Sequence, residues 1–169
     1  RLKPWRVVQG GAERQYSIAN GMAHLAADAD IVLVHDAARP LVSLAAIEAV
    51  IFAAREKGAA IAAVRAKNTI KVVGEDGRVE ATPARASLWE VQTPQGFRRE
   101  ILQRAYEKAA QDGFLGTDDA SLVERIGEAV FVVESDYGNL KITTPEDLWM
   151  AEALLAHSAG IVDEMKVTI

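Results

Sequence analysis

Eight polar residues fall at strand ends or in turns of this sequence: Ser17, Asp36, Arg39, Thr69, Arg85, Thr93, Thr117 and Lys141. Three are cations, four are hydroxyls and one is a carboxylate. No histidine pairs with a nucleophile as its base, and there is no cysteine, so thiol catalysis, disulfides and cysteine zinc sites are excluded. A set of this kind clamps phosphate oxygens and hydrogen-bonds a polyol. Phosphoryl or nucleotidyl transfer asks that of a protein, whose part there is positioning and charge stabilisation. Arginine suits bidentate phosphate binding, and lysine acts as a compact point charge.

Such residues need a frame. The central element is Ile31-Val32-Leu33-Val34, an apolar run that reads as a strand buried on both faces, ending abruptly in His35-Asp36-Ala37-Ala38-Arg39-Pro40. This delivers a carboxylate and a guanidinium to the carboxyl end of a strand, where open α/β sheets place their ligands. Before it, Arg6–Gln9 reads as a short strand running into Gly10-Gly11. A helix then begins at Glu13, with Ile18, Met22 and Leu25 on one stripe. Arg14 and Ser17 in the first turns of that helix make an anion cradle plausible. After Pro40, Ser43 is placed to cap a helix over 44–57 with Leu44, Ile47, Ile51 and Ala54 inward, and Ala59–Val64 follows as a buried strand. The order β-α-β-α-β favours parallel strands joined by right-handed crossovers.

The middle departs from that rhythm. Asn68–Val73 and Arg78–Thr82 flank an Asp76-Gly77 turn and predict a hairpin too small to stand alone in water. Leu88–Gln92 reads as a strand ending in Thr93-Pro94-Gln95-Gly96, and residues 98–111 as a helix with Ile101, Leu102, Ala105 and Ala109 inward. Thr117 is the expected N-cap of a shorter helix, its two aspartates facing the positive end of the dipole. Val130–Glu134 is a further strand and Asn139–Ile142 a short extended piece. Thr144 and Pro145 open a last helix that is expected to bury Leu148, Ala151, Leu154 and Leu155. Beyond His157 no periodicity is dependable. The fold class is therefore α/β, Rossmann-like, a mostly parallel sheet with flanking helices and a protruding hairpin arm at about 67–87.

The 169 residues suit one domain, half hydrophobic and a quarter charged, with a net charge of −5. That charge argues against coating nucleic acid. Three scattered histidines make a histidine metal site an unfavoured reading. No run reaches membrane-spanning length, and no signal peptide is visible, so cytoplasm is the default expectation. The chain starts Arg1-Leu2-Lys3 without an initiator methionine, which implies a start inside a larger polypeptide or a missing native beginning.

Six stretches in order, residues 10–21, 34–40 (Val-His-Asp-Ala-Ala-Arg-Pro), 68–71, 88–95, 117–121 and 139–148, closely resemble the 2-C-methyl-D-erythritol 4-phosphate cytidylyltransferase family of the non-mevalonate isoprenoid pathway. The resemblance spans Val8 to His157. It implies a domain over 1–157, incomplete at its amino end, with 158–169 as tail or linker. It further implies transfer from CTP to a sugar-alcohol phosphate, giving CDP-methylerythritol and pyrophosphate, with Mg²⁺ held by substrate phosphates. A homodimer joined through the arm is implied too. Mapped by motif, Gly11, Ser17 and Ala37 line the cytidine side. Asp36, Arg39, Thr93 and Thr117 hold the sugar phosphate, and Thr69 reaches in from the neighbouring subunit's arm. Arg85, from the same arm, and Lys141 orient the attacking phosphate as the catalytic pair. Ala12 and Asn68 depart from the residues common in the family, and the family's Gly-rich basic segment around the triphosphate has no counterpart here. A ribitol 5-phosphate enzyme and a non-catalytic dimerising module are the alternatives.

Overall fold

The apolar run Ile31–Val34 does form a strand, β1, with Val32 and Val34 buried. The computed structural model describes residues 6–166. In chain order the elements are α1 (Arg14–Met22), β1, α2 (Leu44–Lys57), β2 (Ala59–Arg65), β3 (Val72–Val73), β4 (Val79–Ala81) and β5 (Trp89–Arg98). They continue as α3 (Arg99–Asp112), α4 (Asp119–Arg125), β6 (Phe131–Glu134) and α5 (Pro145–Lys166). A 3-10 turn at Arg85–Ser87 precedes β5. The main sheet has the order β1-β5-β2-β6, and β3 and β4 form the separate hairpin. The sheet is mixed, its core strands mostly parallel, with helices flanking it.

Three expectations are corrected here. Residues 6–9 form no strand. β5 pairs antiparallel with β1, from Ile31↔Arg98 to Val34↔Gln95, so the sheet is not built from parallel crossovers throughout. The strand expected to stop at Thr93-Pro94-Gln95-Gly96 continues to Arg98, because that segment is where the pairing with β1 lies.

The chain divides into two compact units. One comprises the described residues up to Val34 with Val50–Ile61 and Gln95–Phe131. Its core joins Val32, Val34, Ala59 and Phe97 to Ile101, Leu102, Ala105 and Ala109 of α3 and to Leu122 and Val123 of α4. Ile18, Met22 and Leu25 of α1 pack against it, as their spacing predicts. Burying a side chain such as Phe97 or Leu102 is worth about 1.5–3 kcal/mol. α3 ends on Gly113 at φ 63°, a left-handed position that suits glycine. Gly96 admits a close approach: a Cβ there would lie 2.7 Å from Val50 Cγ1 and 2.9 Å from Leu33 Cδ2.

α4 starts one residue later than the sequence suggests. Asp118, not Thr117, is its N-cap, in extended conformation with Oδ1 accepting from Ser121 N at 2.9 Å. A carboxylate competes well for that role, and Thr117 is left exposed on the preceding turn.

The other unit holds His35–Ala49, Ala62–Pro94 and the described residues from Val132. Ser43 caps α2 as expected, accepting from Ala46 N at 3.2 Å. Leu44, expected inward, is exposed, and the buried positions of α2 are Ala46, Val50 and Ala54. α5 likewise departs from expectation: Ala151 is buried, but Leu148, Leu154 and Leu155 are 47%, 36% and 56% exposed. Apolar residues surround this helix on every side, Trp149 and Met150 included, so periodicity alone selects no face. α5 also runs on to Lys166, through residues whose pattern gave no helix signal. Among the described residues no helix is long and apolar enough to cross a membrane.

Candidate active site

The turn after β1 is held on three sides. His35 Nε2 donates to Arg39 O at 3.0 Å, which closes the loop on itself. A carbonyl only accepts, so Nε2 carries the proton, and in the neutral ring Nδ1 accepts from the Thr93 hydroxyl 2.9 Å away. Thr93 Oγ1 in turn accepts from Asp36 N at 3.0 Å. Thr93 is buried, so its hydroxyl supports this turn and is no free nucleophile. The one described histidine that meets this hydroxyl serves a structural end, supporting the turn.

The segment before α5 supplies the second wall. Arg39 Nη1 donates to Asn139 O at 2.7 Å, and Ile142 N donates to Ala38 O at 2.8 Å. Between these anchors Lys141 Nζ lies 3.0 Å from Asp36 Oδ2, and Arg39 Nε lies 4.0 Å from the same oxygen. Two cations thus flank one carboxylate. The Asp36 and Arg39 side chains are mostly buried, while that of Lys141 is 47% exposed and presents its ammonium to solvent. Burial pulls the Arg39 guanidinium below its usual value, and the charge of Asp36 opposes that; the group stays ionised. A half-exposed pair such as Lys141–Asp36 contributes at most about 1 kcal/mol to folding. Its value lies in placing net positive charge at a loop edge.

The first unit carries a second group. Gly11 N donates to Ser17 Oγ at 3.0 Å, and Ser17 Oγ donates to Glu13 O at 3.2 Å. A Cβ on Gly11 would meet Tyr16 Cβ at 2.4 Å, so this turn requires glycine. Gln15 Nε2 donates to Phe114 O and Gln15 Oε1 accepts from Gly116 N, both at 3.0 Å, tying α1 to the loop that carries Thr117. Arg14, proposed as part of an anion cradle, lies 2.8 Å from Asp119 Oδ2 instead. Asp119 is buried and accepts from Tyr106 O–H at 2.5 Å; burial and that carboxylate push the Tyr106 phenol far above its usual range.

Thr69 and Arg85 lie on the arm. Arg85 Nη1 donates to Lys67 O at 2.9 Å, and Lys67 Nζ stacks 3.4 Å from the Tyr137 ring centre. The Asp76-Gly77 turn forms as predicted, with Gly77 at φ 80° and Arg78 N donating to Asp76 Oδ1. Thr69, Val72, Val73 and Val79 are all exposed.

The model of the 2-C-methyl-D-erythritol 4-phosphate cytidylyltransferase family matches residues 2–157 of this chain. The chain belongs to that family. It is a nucleotidyltransferase of isoprenoid precursor biosynthesis, transferring a cytidylyl group to methylerythritol phosphate. The family's enzyme from Bacillus pumilus is 52% identical over 158 residues, covering 93% of this chain and 68% of the relative. That from Caldanaerobacter subterraneus is 52% identical over 153 residues, covering 90% and 67%. The chain therefore spans about two thirds of the length of these relatives. Among solved structures, 4-diphosphocytidyl-2C-methyl-D-erythritol synthase from Anaerococcus prevotii superposes with a TM-score of 0.84 at 37% identity, covering 89% of this chain and 70% of the other. The family's enzyme from Thermus thermophilus superposes at 0.79 and 36% identity, covering 90% and 76%.

Sequence reasoning passed over His35, Gln92, Asn139 and Asp119. His35 stood in a motif already singled out, beside Asp36. Asn139 opened another. The polar partners that make them structural come from distant segments and leave no local signal.

Proposed function

We propose that the two-cation cluster around Asp36 grips the phosphate and hydroxyls of methylerythritol phosphate, and that Gly11, Ser17 and Ala37 line the cytidine side of CTP. In this reading Arg39 and Lys141 attract the substrate phosphate, and Asp36 keeps both cations in place. Thr93 acts through the Asp36 backbone that it holds, and Thr117 adds a hydroxyl from the turn before α4. A phosphate oxygen of the polyol attacks the α-phosphorus of CTP, the new P–O bond forms as the α–β anhydride bond breaks, and pyrophosphate departs. No covalent enzyme intermediate and no general base are needed, because the nucleophile is already an anion.

Mg²⁺ is part of this reading, and the donor set fits an ion carried on phosphate. Among the described residues no three acidic or imidazole side chains gather at one point, and Mg²⁺ is commonly held by one or two carboxylates plus substrate phosphates. When bound it neutralises triphosphate charge.

The arm gives the reading its quaternary form. Exposed Val72, Val73 and Val79 on a two-stranded ribbon need a covering surface, and a second subunit supplies it. Thr69 and Arg85 then reach the partner's site.

The observation that carries the proposal is the triad of Arg39, Asp36 and Lys141 on two adjacent loops. Its test is steady-state kinetics on the full-length gene product. Lys141→Ala and Arg85→Ala are each expected to cut turnover on the order of 10²–10³-fold with little change in melting temperature. Wild-type turnover in either variant would show that the phosphate lies elsewhere.

A further inference from the structure

Asn139 is fully buried two residues before Lys141. Its Nδ2 donates to two acceptors on β5, Gln92 Oε1 and Thr93 O, each at 2.9 Å. Gln92 Nε2 returns a bond to Asp136 O at 3.2 Å, and Asp136 Oδ1 accepts from Asn139 N at 3.1 Å. Asn139, Gln92 and Asp136 close a ring of hydrogen bonds that, with the bond to Thr93 O, fixes the loop's height against β5. Asn139 O then receives Arg39 Nη1, so the same residue sets the direction of the guanidinium.

The chemistry of that position is narrow. Two neutral N–H donors on one short side chain are needed to satisfy two carbonyl oxygens at once, and only a primary carboxamide offers them. Aspartate would set an oxygen against both acceptors. Leucine would leave both buried acceptors unpaired. Asn139 Oδ1 has no partner among the described residues, so the side chain is half-satisfied and its donor end is what the fold uses.

We propose that Asn139 is a positioning residue for the transfer: its carboxamide holds the Arg39 guanidinium and the Lys141 ammonium in register with Asp36. The inference rests on the reading of that cluster as the grip on the sugar phosphate. Ile142 N→Ala38 O fastens the far side of Lys141, so Asn139 is the near anchor of a two-point clamp. Freed from β5, the segment would keep its lysine but lose its spacing from Arg39, and a supporting partner of this kind typically changes activity about 10- to 100-fold.

The experiment is steady-state kinetics with both substrates on Asn139→Leu, Asn139→Asp and Gln92→Met in the full-length gene product, each assayed well below its melting temperature. The expected result is a rise in KM for methylerythritol phosphate and a fall in kcat/KM of about 10- to 100-fold for both Asn139 variants. KM for CTP is expected to stay in place. Gln92→Met, which keeps the bond to Thr93 O, should shift the same KM by less. A folded Asn139 variant in which both KM values are unchanged, with kcat scaling only with the folded fraction, overturns the inference. If the Asn139 variants do not fold, an unmoved KM in folded Gln92→Met overturns it instead. Lys141→Ala run alongside separates the two layers: if it leaves the polyol-phosphate KM unchanged, the site reading itself has failed.

Discussion

Asp36 is the residue on which most of the site's electrostatics turn. It lies between two adjacent cations, Arg39 and Lys141. Asp36→Asn keeps the shape and removes the charge that restrains Arg39 and Lys141. A loss of about 1.4 kcal/mol in substrate binding, a tenfold rise in KM for methylerythritol phosphate, is the expected result, with KM for CTP unchanged. Asp119 serves the fold rather than the ligand. It is 1% exposed and accepts from the buried Tyr106 hydroxyl, so Asp119→Ala strands that hydroxyl. Leaving a buried polar group unpaired costs about 1–3 kcal/mol. A urea midpoint within error of wild type would contradict that.

At the scale of elements, the frame was largely legible and the polar stitching was not. The strands β1, β2 and β6, the helices α1 to α4 and the Asp76-Gly77 hairpin stand where apolar spacing and turn residues placed them. The antiparallel β5 escaped because strand direction depends on pairing between segments some sixty residues apart, which no local pattern encodes. The exposed leucines of α5 escaped because an all-round apolar helix carries no phase. Asp36, Arg39 and Lys141 were singled out from their motifs, and they do cluster; the His35–Thr93 and Gln92–Asn139 links were not foreseen, since each joins residues more than forty apart. Two predictions belong here. Gly96→Ala forces a Cβ into Val50 and Leu33 and should destabilise the protein by about 1–3 kcal/mol, read by chemical denaturation. Asp147 Oδ2 accepts from Thr143 N and Thr144 N at the start of α5, which holds its carboxyl below the usual range. A carboxylate with a lowered folded pKa stabilises above its unfolded pKa, about 3.9, and that contribution disappears as pH falls through the folded value. Asp147→Asn should therefore flatten the acid limb of the stability–pH curve, and an unaltered limb would contradict the assignment.

In the proposed reading, Asp36, Arg39 and Lys141 grip the sugar phosphate and the exposed arm serves a partner's site. The account therefore rests on Lys141 acting within its own subunit and Arg85 acting in the partner's site. Subunit mixing tests this most directly. Lys141→Ala and Arg85→Ala homodimers of the full-length gene product should each keep about 1% of wild-type turnover or less, but a mixed dimer holds one intact site. Random exchange at equal amounts makes half the dimers mixed, each with one working site of two, so activity should recover to about a quarter of wild type. Activity that stays at the level of the separate variants after verified exchange would place both residues in one subunit and contradict the shared site.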